Sequence, residues 1–500
     1  MTGEDESKRT GAAPMDAAAA AVGSAAQTGS EAFAADNRAA GAAGTAASAS
    51  AADGAAPDDF DPVAYLNLPR WRSAHLGLDR IRALLDRLGR PQDRLKFVHV
   101  AGTNGKGSTS AFMACILQEA GYRCGLFTSP YIRTFEERIR IDGRNIPAFD
   151  LARVAWDVRC ASEAIFAETG DHPTEFEMMT AVAFSYFARE RCDIAVIEVG
   201  LGGRLDSTNV IAHPEVSIIA RIGLDHTALL GDTLGKIAAE KAGIVKDGCP
   251  VVSWPNEDAG ARAAIEGAAR DHVARLIVPD FSALAVDSVS AGVRPFSYRG
   301  ERFETRLLGS YQPYNATLAI EAACALRGEG WNVSDEAVRS GIAHTSWPAR
   351  FEVVEAGSGA PTIVVDGGHN PQGAVALADS LADVFPGKRP VFVMGVLADK
   401  DYRSMIDAVM PKARCVLCIT PPNPRALSAD DLARTLRLWA DGRGQNLPVE
   451  ACSDAVCALK RARELVPEDG IVCAFGSLYS VDEVMRAVAA TRGGSVGAAS

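Results

Sequence analysis

The heptapeptide Gly102-Thr103-Asn104-Gly105-Lys106-Gly107-Ser108 sets one cation among small residues, a combination suited to holding phosphate. It lies between the apolar run FVHVA and a stretch of helical periodicity beginning near Thr109, so backbone N–H groups and a helix N-terminus would converge on phosphate oxygens. Lys106 would offset the charge of the β- and γ-phosphates of a nucleotide. The general Walker pattern is not met strictly: Val100 stands where it has glycine, and Gly107 follows the lysine where it has serine or threonine. A glycine-rich tight turn is the plain alternative, disfavoured by the strand and helix on either side.

Those residues need elements to hold them. From Phe60 onward short apolar runs alternate with amphipathic stretches, the pattern of strands and helices in a parallel sheet. Strands are predicted at Phe97–Ala101, Cys124–Thr128, Ile194–Val199 and Val216–Ala220, and helices at Ile81–Leu88, Thr109–Glu119 and Met178–Arg189. A second series, Thr362–Val365, Val391–Met394, Cys415–Ile419 and Ile471–Ala474, predicts a smaller doubly wound sheet. The fold class is α/β: a P-loop-containing ATP-binding domain with a parallel-sheet core, plus a smaller C-terminal Rossmann-like α/β domain. The expected division is a disordered Ala-rich tail over 1–57, the first domain over 58–347, the second over 348–490 and a short tail over 491–500. Residues from about 250 to 310 carry mixed strand signals and read as an elaboration of the first domain.

Open α/β sheets bind ligands beyond the carboxyl ends of their strands. The polar clusters fall there: GTNGKGS after the first strand, TSP after the second, EVGLGGRLDSTN after the third, GLDHT after the fourth, and DGGHNP after the first strand of the later sheet.

Composition excludes other classes. With 63 acidic against 51 basic side chains, the chain is no general nucleic-acid binder or polybasic membrane adaptor. The first 57 residues are mostly Ala, Gly, Ser and acids, with Phe33 the only aromatic, too little apolar surface to offset ordering entropy. Met15 is an alternative start, and removal of the tail is expected to leave activity and stability intact. No signal peptide, transit peptide or run of eighteen apolar residues is legible, so a cytoplasmic protein is expected. Of the eleven cysteines, Cys415 and Cys418 alone form a close pair, and on a strand residues three apart point to opposite faces. Free buried thiols are expected, not a metal clasp or a disulfide.

GTNGKGS in this form resembles the nucleotide loop of the Mur ligase superfamily, whose members make amide bonds through acyl phosphates. TSPYIRTFEERIRIDG, EFE, EVGLGGRLDSTN, GLDHT, EKAGI, DGGHNP and GSLY follow in order, and together the set resembles the dihydrofolate synthase and folylpolyglutamate synthase family from about residue 65 to 485. The resemblance implies ATP-dependent ligation of glutamate to dihydropteroate, and to folylpolyglutamates, in folate biosynthesis and one-carbon metabolism.

It also implies roles for particular residues. Gly102 to Ser108, with Asn315, Arg350 and Asp366, would contact ATP. Ser129 and Glu198 match positions that hold one magnesium, and His226 a ligand of a second. Lys241 in EKAGI matches a lysine that the family carries as a carbamate, an anion suited to a hard cation where an ammonium would be repelled. Alone, Glu198 could be a solvated strand terminus, His226 a structural histidine and Lys241 a surface lysine. Ala74, His75 and Leu76, Thr174 to Glu177 with Phe176 between the two acids, and Leu205, Asp206 and Ser207 resemble the pterin-binding surface. A carboxylate there can accept paired hydrogen bonds and an aromatic ring can stack. Core packing is the alternative for Phe176. His369 and Ser477 would serve glutamate binding or amide formation. Where the family has Pro-Gly before the ATP-binding arginine, this chain has Pro348-Ala349, which puts the local turn in doubt. Catalytic weight falls on Lys106, Lys241 and His369; the expected cofactors are two Mg²⁺ ions, with ATP as co-substrate and a monovalent cation left open. The expected partners are small molecules only, with no nucleic acid and no membrane, and the protein is expected to be a monomer. A cell-wall amino-acid ligase and a non-catalytic ATP switch are the competing readings.

Overall fold

The computed structural model describes residues 56–68, 77–357 and 360–491. The expected N-terminal tail up to residue 55, the Ala74, His75 and Leu76 segment, and residues 492–500 lie outside the described residues.

Eight strands form the first sheet: β1 Phe97–Ala101, β2 Cys124–Phe127, β3 Ile139–Ile141, β4 Arg144–Asn145, β5 Ile194–Glu198, β6 Val216–Ile219, β7 Val251–Ser253 and β8 Leu276–Ile277. Their order is β4-β3-β2-β5-β1-β6-β7-β8, with the pairs β2–β3 and β3–β4 antiparallel and the other pairs parallel. The central strands are buried at every position because helices cover both faces, which is why they read as unbroken apolar runs. On β1, Val98 and Val100 pack with helices Lys106–Glu119 and Gln312–Gly328, while Phe97 points to the opposite core with helix Glu175–Arg189.

Strands β9 Leu284–Val286, β10 Arg294–Tyr298 and β11 Glu301–Thr305 make a separate antiparallel sheet, so the mixed signals of the 250–310 region divide between two sheets. The third sheet holds β12 Glu352–Gly357, β13 Ala360–Val365, β14 Val391–Met394, β15 Cys415–Cys418, β16 Val449–Ala451 and β17 Ile471–Phe475, in the order β12-β13-β17-β14-β15-β16. All pairs in it are parallel except β12 with β13. Cys418 and Cys415 sit in the cores on opposite faces of this sheet, and all eleven cysteines are free.

Two expected helix starts move by three residues, and the later of the two helices begins at Glu175 and not at Met178. The helix after the phosphate loop starts at Lys106, not near Thr109, because Gly105 takes φ +88° as its N-cap and lets the chain turn early. Among the described residues no helix is long and apolar enough to cross a membrane.

Candidate active site

A cleft of about 230 Å³ gathers the carboxyl-end loops of both large sheets. Its walls include the whole Gly102–Ser108 loop, Ser129, Glu198, His226, Lys241, Asn315, Arg350, Asp366 and His369.

The phosphate loop is held from behind. Thr103 and Asn104 donate backbone N–H groups to Arg221 O at 2.9 and 3.2 Å, and the Thr103 hydroxyl bonds both N–H and C=O of Gly223. A Cβ on Gly105 would lie 2.5 Å from Asn315 Oδ1, so glycine is needed there for space as well as for φ. Lys106 Nζ donates to Thr103 O at 3.3 Å.

Glu198 is buried at the end of β5, and among the described residues Oε2 accepts from the Ser129 N–H alone, at 3.2 Å. Burial raises its carboxyl, with Lys106 the main charge opposing the rise. A buried, poorly satisfied carboxylate beside a hydroxyl residue suits a hard cation. Among the described residues no group of three or more His, Cys, Asp or Glu could hold a metal by itself. The expected magnesium site fits that fact, because its protein donors would be one carboxylate, one imidazole, a hydroxyl and a modified lysine. His226 has φ +50°, and burial together with Lys400, Lys106 and Lys241 outweighs Asp225 to lower its imidazole.

Lys241 is 4% exposed and donates from Nζ to Gly102 O at 2.8 Å. Burial, then the Lys106 charge, brings its ammonium down to about 7, so much of the amine is neutral near physiological pH. Its neighbour Glu240 pairs with Arg204 at 2.7 Å and leaves Lys241 to the cleft.

From the third sheet, Asp366 follows β13. Its oxygens accept from Gly368 N at 2.7 Å, Phe351 N at 2.8 Å and the Tyr311 hydroxyl at 3.3 Å, and burial raises it against the opposing Arg350. The doubtful Pro348-Ala349 turn resolves into a left-handed backbone at two non-glycine residues, Ala349 at φ +53° and Phe351 at +54°. His369 donates from Nδ1 to Gly367 O at 2.9 Å, which leaves Nε2 as an acceptor, and burial takes its imidazole down to about 4.

Other expected residues do not reach the cleft. Thr174 and Glu177 form a capping box at the start of helix Glu175–Arg189, and Glu177 also accepts from Arg80 Nε at 3.0 Å. The Phe176 ring fills the space over Gly200, whose Cβ would fall 2.4 Å from it, and Burial raises the Glu175 carboxyl against Arg138. Asp206 spends both oxygens on Leu201 N, Thr208 N and the Thr208 hydroxyl, and Ser207 bonds Thr180 at 2.7 Å. Phe176 and Asp206 stand against the Gly200-Leu201-Gly202 wall, Leu205 does not line the cleft, and the carboxylates of Glu177 and Asp206 accept from protein donors. The Ser477 hydroxyl accepts from Tyr479 N at 3.2 Å; its neighbour Leu478 is the residue that lines the cleft.

Sequence reasoning passed over a polar network that crosses the cleft. Asn104 bonds Gln372 at 2.5 Å and Asn370 at 3.0 Å, Asn370 donates to Asp225 Oδ2 at 3.3 Å, and Lys400 donates to Asp225 Oδ1 at 2.8 Å. Lys400 follows β14, so the strand-end rule applied to GVLADKD would have found it.

The fold and the cleft define an ATP-loop ligase of the Mur type: the Mur ligase middle domain matches residues 100–323, and the Mur ligase, glutamate ligase domain matches residues 349–478. The dihydrofolate synthase/folylpolyglutamate synthase of Bacillus subtilis is 39% identical over 441 residues, covering 85% of this chain and 99% of that protein. That of Escherichia coli is 32% identical over 441 residues, covering 86% and 96%. Among solved structures, E. coli FolC in complex with DHPP and ADP superposes with a TM-score of 0.74 at 28% identity, covering 86% of this chain and 97% of the other. Mycobacterium tuberculosis folylpolyglutamate synthase, complexed with ADP and AMPPCP, gives 0.74 at 30% identity, with 82% and 95% covered. The chain belongs to the dihydrofolate synthase/folylpolyglutamate synthase family of acid–amino-acid ligases.

Proposed function

We propose that this ligase uses ATP to join L-glutamate to 7,8-dihydropteroate and to extend pteroylglutamates, through an acyl phosphate, in folate metabolism. The observation that carries the reading is the convergence of the phosphate loop, Glu198, Lys241 and the DGGHNP segment on one cleft. The division of labour follows the sheets: residues 58–347 bind and activate, and 348–490 bring glutamate.

An acceptor carboxylate oxygen attacks the γ-phosphorus, and ADP leaves. The loop N–H groups and Lys106 stabilise the charge on the transferring group. Asn315, Arg350 and Asp366 hold the nucleotide. Ser129, Glu198, His226 and a carbamate of Lys241 would hold magnesium, which would supply positive charge to offset that of the phosphates. The glutamate amine then attacks the acyl carbon, and phosphate leaves. His369, neutral because it is buried, accepts a hydrogen bond from that amine and orients it. The pterin end of the acceptor lies along the Gly200-Leu201-Gly202 wall that Phe176 and Asp206 support. The protein works in the cytoplasm as a monomer.

Incubation with ATP, magnesium and glutamate against 7,8-dihydropteroate, a reduced folate and a cell-wall nucleotide in parallel tests the reading. Glutamate-dependent ADP release with either of the first two acceptors is expected. Release with the cell-wall nucleotide alone, or release indifferent to glutamate, would overturn it.

A further inference from the structure

Lys400 stands in the turn after β14, outside the cleft lining, and no step of the reaction above calls on it. Its side chain and that of Asp225 are 15% and 13% exposed, so the 2.8 Å ion pair between them is sheltered from the screening that weakens surface pairs. The two residues come from different halves of the fold. Asp225 lies in the loop after β6 beside His226, and its second oxygen accepts from Asn370. Asn370 in turn caps helix Pro371–Val384, bonds Asn104 of the phosphate loop and adjoins His369.

The far end of that helix is tied down separately. Ser380 bonds Ser310 at 3.0 Å, and Asp383 pairs with the buried Arg294 of β10. None of these four residues lines the cleft, so their contacts can serve as the fixed side of an opening movement. On the cleft side, the Lys400–Asp225–Asn370–Asn104 chain joins the nucleotide loop to the glutamate half.

We infer that Lys400 is a positioning residue whose ion pair with Asp225 latches the cleft side of the two halves together while the acyl phosphate exists. The inference deepens the ligase reading and rests on it for one of its two readouts. If the latch is loose, a water oxygen can attack the acyl phosphate. The carboxylate and inorganic phosphate are then released, a molecule of ATP has been consumed, and no amide has formed.

The variant is Lys400→Met in the full chain, with Lys400→Arg as the charge-preserving control. The first readout is phosphate released per glutamate joined, measured with whichever acceptor the wild type uses. The ratio should stay near one for the wild type and Lys400→Arg and rise to several for Lys400→Met, while affinity for a non-hydrolysable ATP analogue changes less than about two-fold. The second readout needs no turnover: amide hydrogen exchange at Gly373, whose N–H donates to Asn370 Oδ1 at 2.8 Å, and across residues 222–226. It should accelerate by about ten-fold in Lys400→Met, with β1 and β13 unchanged. Unchanged exchange in those segments would overturn the latch whether or not the protein ligates glutamate. A ratio that stays at one in Lys400→Met, with the rate either normal or reduced, would also overturn it, as would acceleration spread evenly over the whole fold. Failure of the wild type to join glutamate to any acceptor would count against the ligase reading, and the exchange result would still decide the latch.

Discussion

Lys241 Nζ donates to the carbonyl oxygen of Gly102 across 2.8 Å, which ties the EKAGI helix to the first residue of the phosphate loop. The amine is thus buried next to the Gly102–Ser108 loop, and its ammonium is brought down to about 7. A neutral amine is the form that reacts with CO₂. Lys241→Ala should lose activity by at least about a hundred-fold, a short carboxylic acid should restore part of it, and the intact wild-type mass should carry an added carboxyl group. An active Lys241→Ala protein would refute the carbamate.

Lys106→Ala should abolish turnover, by about a thousand-fold or more, with an unchanged circular-dichroism spectrum. Ser129→Ala and Glu198→Ala should instead raise the magnesium concentration needed for half-maximal rate. If neither does, the metal is held elsewhere.

His369 gives a signed pH dependence. Its ordinary value is 6.5, and burial in the folded protein takes it to about 4. Above pH 6.5 neither state binds a proton there and the group is silent. As the pH falls from 6.5 towards 4 the unfolded chain protonates first, so stability is lost over that window. His369→Gln should remove on the order of 1–2 kcal/mol of that loss. Urea unfolding at pH 7 and pH 4.5 measures it, and equal losses in the two proteins would refute the assignment.

Ala349 occupies φ +53°, where a Cβ is strained, and its N–H is held by Glu352 Oε2 at 2.8 Å. Ala349→Gly should raise stability by about 1 kcal/mol, read as a higher urea midpoint at unchanged slope. A lower midpoint would mean that the Ala349 methyl, which is fully buried, contributes more by packing than the strain costs.

These residues also show what the sequence could and could not reveal. The GTNGKGS loop and the strands beneath it were legible because glycines, a lysine and unbroken apolar runs are local signals. β12 and β16 were missed, being an antiparallel edge and a three-residue edge strand with little periodicity of their own. The protein donors to Glu177 and Asp206 were not legible, because sequence does not reveal that Arg80 meets Glu177 across 97 positions, or that Leu201 N points at Asp206. Asn370 and Lys400 were passed over for a related reason. Their places beyond strand ends are readable, but their partners Asn104 and Asp225 are 266 and 175 positions away, and nothing local marks those pairings.

The order of strands in the third sheet bears on how the protein is made. β17, Ile471–Phe475, is the last strand of the chain, yet it pairs with both β13 and β14 at the middle of the sheet. The strands of the first sheet are all made by Ile277 and the helix Gln312–Gly328 that covers it by Gly328, so the first half can fold on the ribosome long before the third sheet can close. Until the codons for β17 have been read, β13 carries the DGGHNP loop on a strand without its inner neighbour. A nascent chain therefore gains its glycine-rich loop early and its complete cleft only at the end of translation, and a premature stop between Trp347 and Ile471 should yield a protein that has the first sheet and cannot ligate.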